Sequence, residues 1–145
     1  MKDVTIYTDG ACSKNPGPGG WAFIIKFKEH VLEKSGGEEV TTNNRMELLA
    51  VINAIKTLKE PCNVKIYTDS KYVVDSVEKG WVFNWQKNNW IKPNKQKALN
   101  KDLWEELLEL LKRHNASFEW VKGHANIEEN ERCDKLAVRE CEKFK

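Results

Sequence analysis

The sequence is short of most residues and patterns that mark a special environment. Its four cysteines, Cys12, Cys62, Cys133 and Cys141, form no CxxC pair and show no metal-ligand spacing, which excludes a zinc ribbon and argues against a disulfide framework. At 145 residues the chain can bury one sizeable core without such a staple. There are only three histidines, and none belongs to a His/Cys cluster, so soft-metal chemistry has no ligand set. No apolar run is long enough to span a bilayer, and no secretory leader opens the chain. These absences together predict reduced thiols in a cytoplasmic protein with no membrane contact. Charge of one sign is also lacking. Lys and Arg number 24 against 22 Asp and Glu, a net charge of +2, so a nucleic-acid partner has to be read from where the charges lie. No linker, low-complexity tract or repeat array appears, and one domain over residues 1–145 is expected.

What is present is a balance typical of globular chains, 40% hydrophobic and 32% charged. Strand-like runs come first, at 3–9, at 21–28 (WAFIIKFK) and over roughly 31–42. Their short, Gly-rich connections suit an antiparallel meander. The period then changes. Over 44–58, Leu48, Val51, Ile52, Ile55 and Leu58 make one helical stripe, and Met46, Leu49, Ala50 and Ala54 widen it. Such a helix is expected to lie buried between a sheet and another helix. NVKIYTD at 63–69 predicts a fourth strand, SKYVVDSVEKG a Ser-capped helix ended by Gly80, and WVFNWQK a short helix. A helix over 101–113 opening after Asn100, a fifth strand at 116–121 and a last helix at 131–143 complete the pattern. The fold class expected is α/β, a five-stranded mixed sheet with three antiparallel strands first and then parallel strands joined by helices. The fourth strand arrives by a crossover and can lie parallel to the first.

Two strand-like segments carry the same four residues, VTIYTDG at 4–10 and VKIYTDS at 64–70. If their strands are parallel neighbours, Asp9 and Asp69 meet at the carboxyl edge where α/β sheets bind ligands. Two carboxylates ~4 Å apart repel by ~4 kcal/mol at an effective dielectric near 20, a conflict a divalent cation resolves. Taken singly, either aspartate could instead cap the element after it. Glu47 has two readings as well. Asn44-Arg45-Met46-Glu47 fits a capping box, while the first turn of a buried helix would aim Glu47 at the sheet edge. Asp134, amid mixed charges, alone reads as a surface acid, and His124 in KGHANIEENERCD alone reads as a turn histidine.

The ordered combination is more specific. YTDG, TTNNRMEL, YTDS and VKGHANIEENERCDKLA, with NPGPGGWAF and a Trp-rich middle, resemble the type 1 ribonuclease H family from Asp3 to about Arg139. The resemblance implies that Asp9, Glu47, Asp69 and Asp134 are metal-binding catalytic acids and that His124 is a catalytic loop histidine. The residues suit that chemistry in their own right. Phosphodiester hydrolysis needs an activated water and a stabilised leaving oxygen, which two Mg²⁺ ions about 3.5–4 Å apart can supply. Mg²⁺, with Mn²⁺ as the alternative, prefers hard oxygen ligands and keeps positions open for water and phosphate. His124 would move a proton near the leaving side or help release product.

Residues 79–101 hold six lysines, no acid, and Trp81, Trp85 and Trp90 interleaved. Lysines supply phosphate affinity and aromatic faces pack on sugars or bases, although tryptophans in a core with a wet lysine face would read the same way. The stretch resembles the basic protrusion of bacterial family members, which implies a grip on the DNA strand of an RNA–DNA hybrid by Lys87, Lys92, Lys95 and Lys97, with Trp81 and Trp85 against its sugars. NPGPGG lacks the lysine of a nucleotide-binding loop; close backbone approach to an RNA minor groove is the expectation instead. Family matches on that surface are Cys12, Asn15, Thr42, Asn43, Asn44 and Asn100. Lys71 departs from the family by standing where glutamine is common, and ANIEEN after His124 lacks the glycine usual there. With nothing ahead of the first strand, no separate hybrid-binding domain is expected. The implied protein is a monomeric endoribonuclease that cuts the RNA strand of hybrids and needs no protein partner. A DNA nuclease or integrase, or a catalytically dead hybrid-binding module, are the rival readings.

Overall fold

A computed structural model describes residues 1–122 and 127–145. Strands β1 (Lys2–Cys12), β2 (Gly17–Phe27) and β3 (His30–Thr41) pair antiparallel in turn. Helix α1 (Asn43–Thr57) then carries the chain to β4 (Cys62–Thr68), which lies parallel to β1. Helices α2 (Lys71–Glu78), α3 (Trp81–Lys87) and α4 (Lys101–Leu111) lead to β5 (Asn115–Trp120), parallel to β4, and α5 (Glu128–Glu142) follows. The sheet order is β3-β2-β1-β4-β5, the mixed α/β sheet expected from the sequence.

Alternation along β1 and β4 divides their side chains between two layers. Val4 and Ile6, with Val64 and Ile66, face the larger core beneath α1, α2 and α4. Tyr7 and Ala11 face the opposite side, where Cys133, Leu136 and Ala137 of α5 pack on Ala22 and Ile24. Helix α1 is buried on both flanks as its wide stripe predicts. Leu48, Val51, Ile52 and Ile55 are essentially inaccessible, each contributing about 2 kcal/mol of apolar burial.

Three boundaries differ from the sequence reading. Strand β1 does not stop at Asp9; it continues to Cys12, with Asp9 paired opposite Ala22. The NPGPGG glycines are not all loop, because β2 begins at Gly17. Here α5 crosses so closely that a Cβ on Gly20 would lie 2.0 Å from Ala137 O, which only glycine allows. Helix α5 starts at Glu128, three residues earlier than expected, so Asp134 falls in its second turn.

Candidate active site

The parallel register of β1 and β4 runs through Tyr7↔Tyr67, so Asp9 and Asp69 stand the same two residues beyond the last paired step. Below them the Tyr7 and Tyr67 rings stack at 5.2 Å and 16°. The residue after Asp9 brings in the third acid. A Cβ on Gly10 would meet Glu47 N at 2.4 Å and Met46 C at 2.6 Å, so α1 rests directly on bare backbone. That contact delivers Glu47 to Asp9. The helix is capped by Thr42, whose Oγ1 accepts from Arg45 N at 3.3 Å. Of the two readings of Glu47, the capping box with Asn44 therefore does not form, and Glu47 faces the cleft.

One carboxylate oxygen each from Asp9, Glu47 and Asp69 lie within 4.8 Å of one another. Asp134, half-buried on α5, lines the same cleft, and its charge acts on Asp9. Asp9 is only 7% exposed and Glu47 4%. Burial, then the charges of Asp69 and Asp134, push the Asp9 carboxyl up to about 8. Burial first, with Asp9 and Asp69 next, holds Glu47 well above the ordinary carboxylate range. Glu47 Oε1 is buried without any hydrogen-bond partner. An orphaned carboxylate oxygen and mutually repelling acids are costly without a cation, and hard oxygens at one sheet edge suit a divalent ion of the Mg²⁺ class.

The other expected contacts divide into groups. Asn43, Asn44 and Lys71 line the acid cleft. Asn15 Oδ1 accepts from Asn43 N at 2.9 Å and ties the loop before β2 to the first turn of α1. The thiol of Cys12 donates to Lys14 O at 2.6 Å and Thr41 O at 3.4 Å, which braces the same loop. Asn100, at a left-handed φ of 65°, accepts from Arg45 Nη1 at 3.3 Å and donates to Tyr72 Oη at 3.2 Å. Lys87, Lys92 and Lys95 line a separate groove along α3 and the loop after it, with Lys97 exposed nearby in sequence. Trp81 is 41% exposed at the start of α3. Trp85 is a correction: it is 7% exposed and lies edge-on to the buried Trp104 at 6.5 Å. Its ring is core rather than an open face. His124 lies outside the described residues.

The sequence reading missed Gly10, Tyr72 and Trp120. The aspartate–glycine step of YTDG was a usable signal for Gly10. Tyr72 gathers hydrogen bonds from Asn100 and Trp104 Nε1, and Trp120 reaches Asp69; both contacts are made only by the folded chain.

Comparison with known proteins agrees with this geometry. A family model described as RNase H matches residues 1–142. Ribonuclease H of Desulforamulus reducens is 59% identical over 138 residues, 95% of this chain and 87% of the relative. That of Caldicellulosiruptor saccharolyticus is 56% identical over 137 residues, 94% of each. Among solved structures, LC9-RNase H1, a type 1 RNase H with the type 2 active-site motif, superposes with a TM-score of 0.85 at 29% identity, covering 100% of this chain and 74% of that one. LC11-RNase H1 in complex with RNA/DNA hybrid gives a TM-score of 0.72 at 24% identity over 97% of each chain, a likeness of fold. A match over nearly the whole length, with its four acids drawn to one sheet edge, places the chain in the ribonuclease H family.

Proposed function

We propose that the chain hydrolyses the RNA strand of RNA–DNA hybrids as an endoribonuclease, with two Mg²⁺ ions (Mn²⁺ the alternative) held by Asp9, Glu47, Asp69 and Asp134 when the hybrid is bound. The observation that carries this reading is the three-carboxylate cluster with its unpartnered Glu47 oxygen, in a chain whose relatives are named Ribonuclease H. The hybrid bound by LC11-RNase H1 supports the same substrate class. When bound, the ions supply positive charge for the attacking water and the leaving 3′-oxygen.

The chain's own residues orient the reaction. Glu47 and Asp9, buried and held by α1 and the β1–β2 ladder, form the rigid floor. Asp69 and Asp134 complete the rim from β4 and α5. His124 is assigned the proton near the leaving side. Asn15 keeps Asn43 and Asn44 at the cleft, where amide groups can read 2′-hydroxyls; Cys12, Thr42 and Asn100 brace that surface. Trp81 offers an open aromatic face to the DNA sugars, and Lys87, Lys92, Lys95 and Lys97 attract its phosphates. Every acid comes from one chain, which suits a monomer that needs no protein partner. Four free thiols suit the reducing cytoplasm, and among the described residues no helix is long and apolar enough to cross a membrane. Residues 1–145 are proposed to act as one catalytic domain.

The test is cleavage of four matched duplexes with Mg²⁺ and with chelator: RNA–DNA hybrid, DNA–DNA, RNA–RNA, and a hybrid with 2′-O-methylated RNA. Only the first should be cut efficiently, and chelator should stop it. Comparable cutting of DNA–DNA would replace this reading with a DNA nuclease.

A further inference from the structure

Of the three clustered acids, only Asp69 lies outside regular structure. Asp9 sits in the β1–β2 ladder and Glu47 is buried in α1. Strand β4 ends at Thr68, α2 begins at Lys71, and Asp69 is exposed between them. Its main chain is held from β5. Trp120 Nε1 donates to Asp69 O at 3.0 Å, and Val121 N donates to the preceding carbonyl, Thr68 O, at 2.9 Å. Two successive carbonyls are thereby fixed by Trp120, the last residue of β5, and by Val121 just after it. The indole that makes the first contact is 43% exposed, so packing alone does not immobilise it. Lys71 covers it, with Nζ 4.7 Å from the ring centroid. The same Lys71 lines the acid cleft.

We infer that Trp120 is a positioning residue for Asp69: its indole N–H fixes the Asp69 peptide and so the reach of that carboxylate toward a divalent cation, with Lys71 stacked on the ring as its clamp. The inference rests on the metal-site reading above. A ligand carboxylate has to be held within about 0.5 Å of its productive place. Loss of a partner behind a metal ligand weakens binding roughly 10–100-fold. Lys71 thus acts through the ring and not simply as a charge beside the acids. The two roles differ in sign. A bare positive charge near a cation site opposes the cation, so removing it would tighten binding; removing a clamp loosens it.

The experiment titrates Mn²⁺ into substrate-free protein and reads the free ion by its EPR signal, with melting in chelator measured alongside. Trp120→Phe keeps a ring for Lys71 and removes the N–H. It should bind Mn²⁺ roughly tenfold more weakly, keep a cooperative melt in chelator, and lower kcat at limiting ion with little change in KM for the hybrid. Lys71→Met should weaken Mn²⁺ binding in the same direction by less. Wild-type affinity in Trp120→Phe would overturn the inference. If that variant does not fold, Lys71→Met decides, and equal or tighter binding there overturns it. A wild-type protein that binds no Mn²⁺ removes the metal-site reading itself, and this inference with it.

Discussion

The two IYTD segments put the same four residues at the same edge of the sheet and give their acids opposite surroundings. In the first, β1 runs on through Asp9 to Cys12, Asp9 is buried, and the next residue is a glycine on which α1 rests. In the second, β4 stops at Thr68, Asp69 is exposed, and the next residue, Ser70, starts a helix by accepting from Val73 N at 3.3 Å. The residue after the aspartate makes the difference. Glycine has no Cβ and admits a helix backbone from the side, which buries the acid and brings Glu47. Serine has a hydroxyl and launches a helix forward, which leaves its acid at the surface to be held by β5. The proposed cation site thus combines both kinds of acid: a dry pair that resists ionisation without an ion, and an open one that substrate and solvent can approach.

The largest effect should treat the two acids alike. Asp9→Asn and Asp69→Asn should each lower cleavage on the order of 10³-fold or more, beyond the roughly 10–100-fold expected for losing an outer partner of a metal site. Hybrid binding should persist if phosphate affinity lies with the lysines, as proposed. Gel-based cleavage and binding of the hybrid measure the pair. Full activity in either variant would break the equivalence and the metal assignment together.

Gly10→Ala should separate the segments next. Its Cβ would lie 2.4 Å from Glu47 N and 2.6 Å from Met46 C. Both are helix backbone, so α1 must shift. Overpacking of this kind costs roughly 1–3 kcal/mol, occasionally more, and the shift moves Glu47 with it. Denaturant melts should show the loss, and cleavage should fall by more than the unfolded fraction explains. A neutral Gly10→Ala would mean that Glu47 does not depend on the close approach.

Much of this was legible in the sequence because it rests on periodicity and repetition. The stripe of Leu48, Val51, Ile52 and Ile55 predicts a buried helix, and the IYTD echo sets Asp9 beside Asp69 once its two strands pair parallel, as they do. Other features depend on tertiary contacts. Gly10-Ala11-Cys12 has little strand propensity, and only pairing with Gly19, Gly20 and Trp21 makes it strand. TTNN offers four successive capping residues, so local chemistry could not choose Thr42 over Asn44. Trp81 and Trp85 stand among the same lysines, but one is open and the other packs on Trp104, a residue nearly twenty positions away.

Acidity should single out the Asp9 segment again, in the metal-free protein. The Asp9 carboxyl is raised from 3.8 to about 8, burial first and the neighbouring charges next. The unfolded chain therefore releases this proton near pH 4 and the folded one near pH 8. Between those values the folded state binds more protons, so the stability of metal-free protein falls as pH rises through the window. Below pH 4 both states are protonated and the penalty is absent. Asp9→Asn in chelator should match wild type near pH 3.5 and gain on it steadily, reaching on the order of a few kcal/mol by pH 8. Asp69→Asn would remove one charge beside Asp9 but not the burial that is the larger cause, so its gain should be smaller. Denaturation series across pH 3.5–8.5 test both, and a pH-independent gap for Asp9→Asn would show that folding does not raise the Asp9 carboxyl.

Ser70→Ala should produce the smallest change, and it tests the second segment where Gly10→Ala tests the first. Ser70 has three local hydrogen bonds, one of them from Val74 N to its carbonyl at 3.1 Å, and the substitution removes only the side-chain one. Its Oγ accepts from Val73 N at 3.3 Å; its own N–H donates to Thr68 Oγ1 at 3.1 Å and survives in alanine. The loss is therefore one N-cap contact, worth about 1 kcal/mol. Helix α2 should fray at its first turn without moving Asp69, because Trp120 and Val121 hold the Asp69 and Thr68 carbonyls from the other side. Stability should fall by that amount while kcat at saturating Mg²⁺ stays near wild type. A large loss of kcat with unchanged stability would show that the cap, and not β5, fixes the exposed acid.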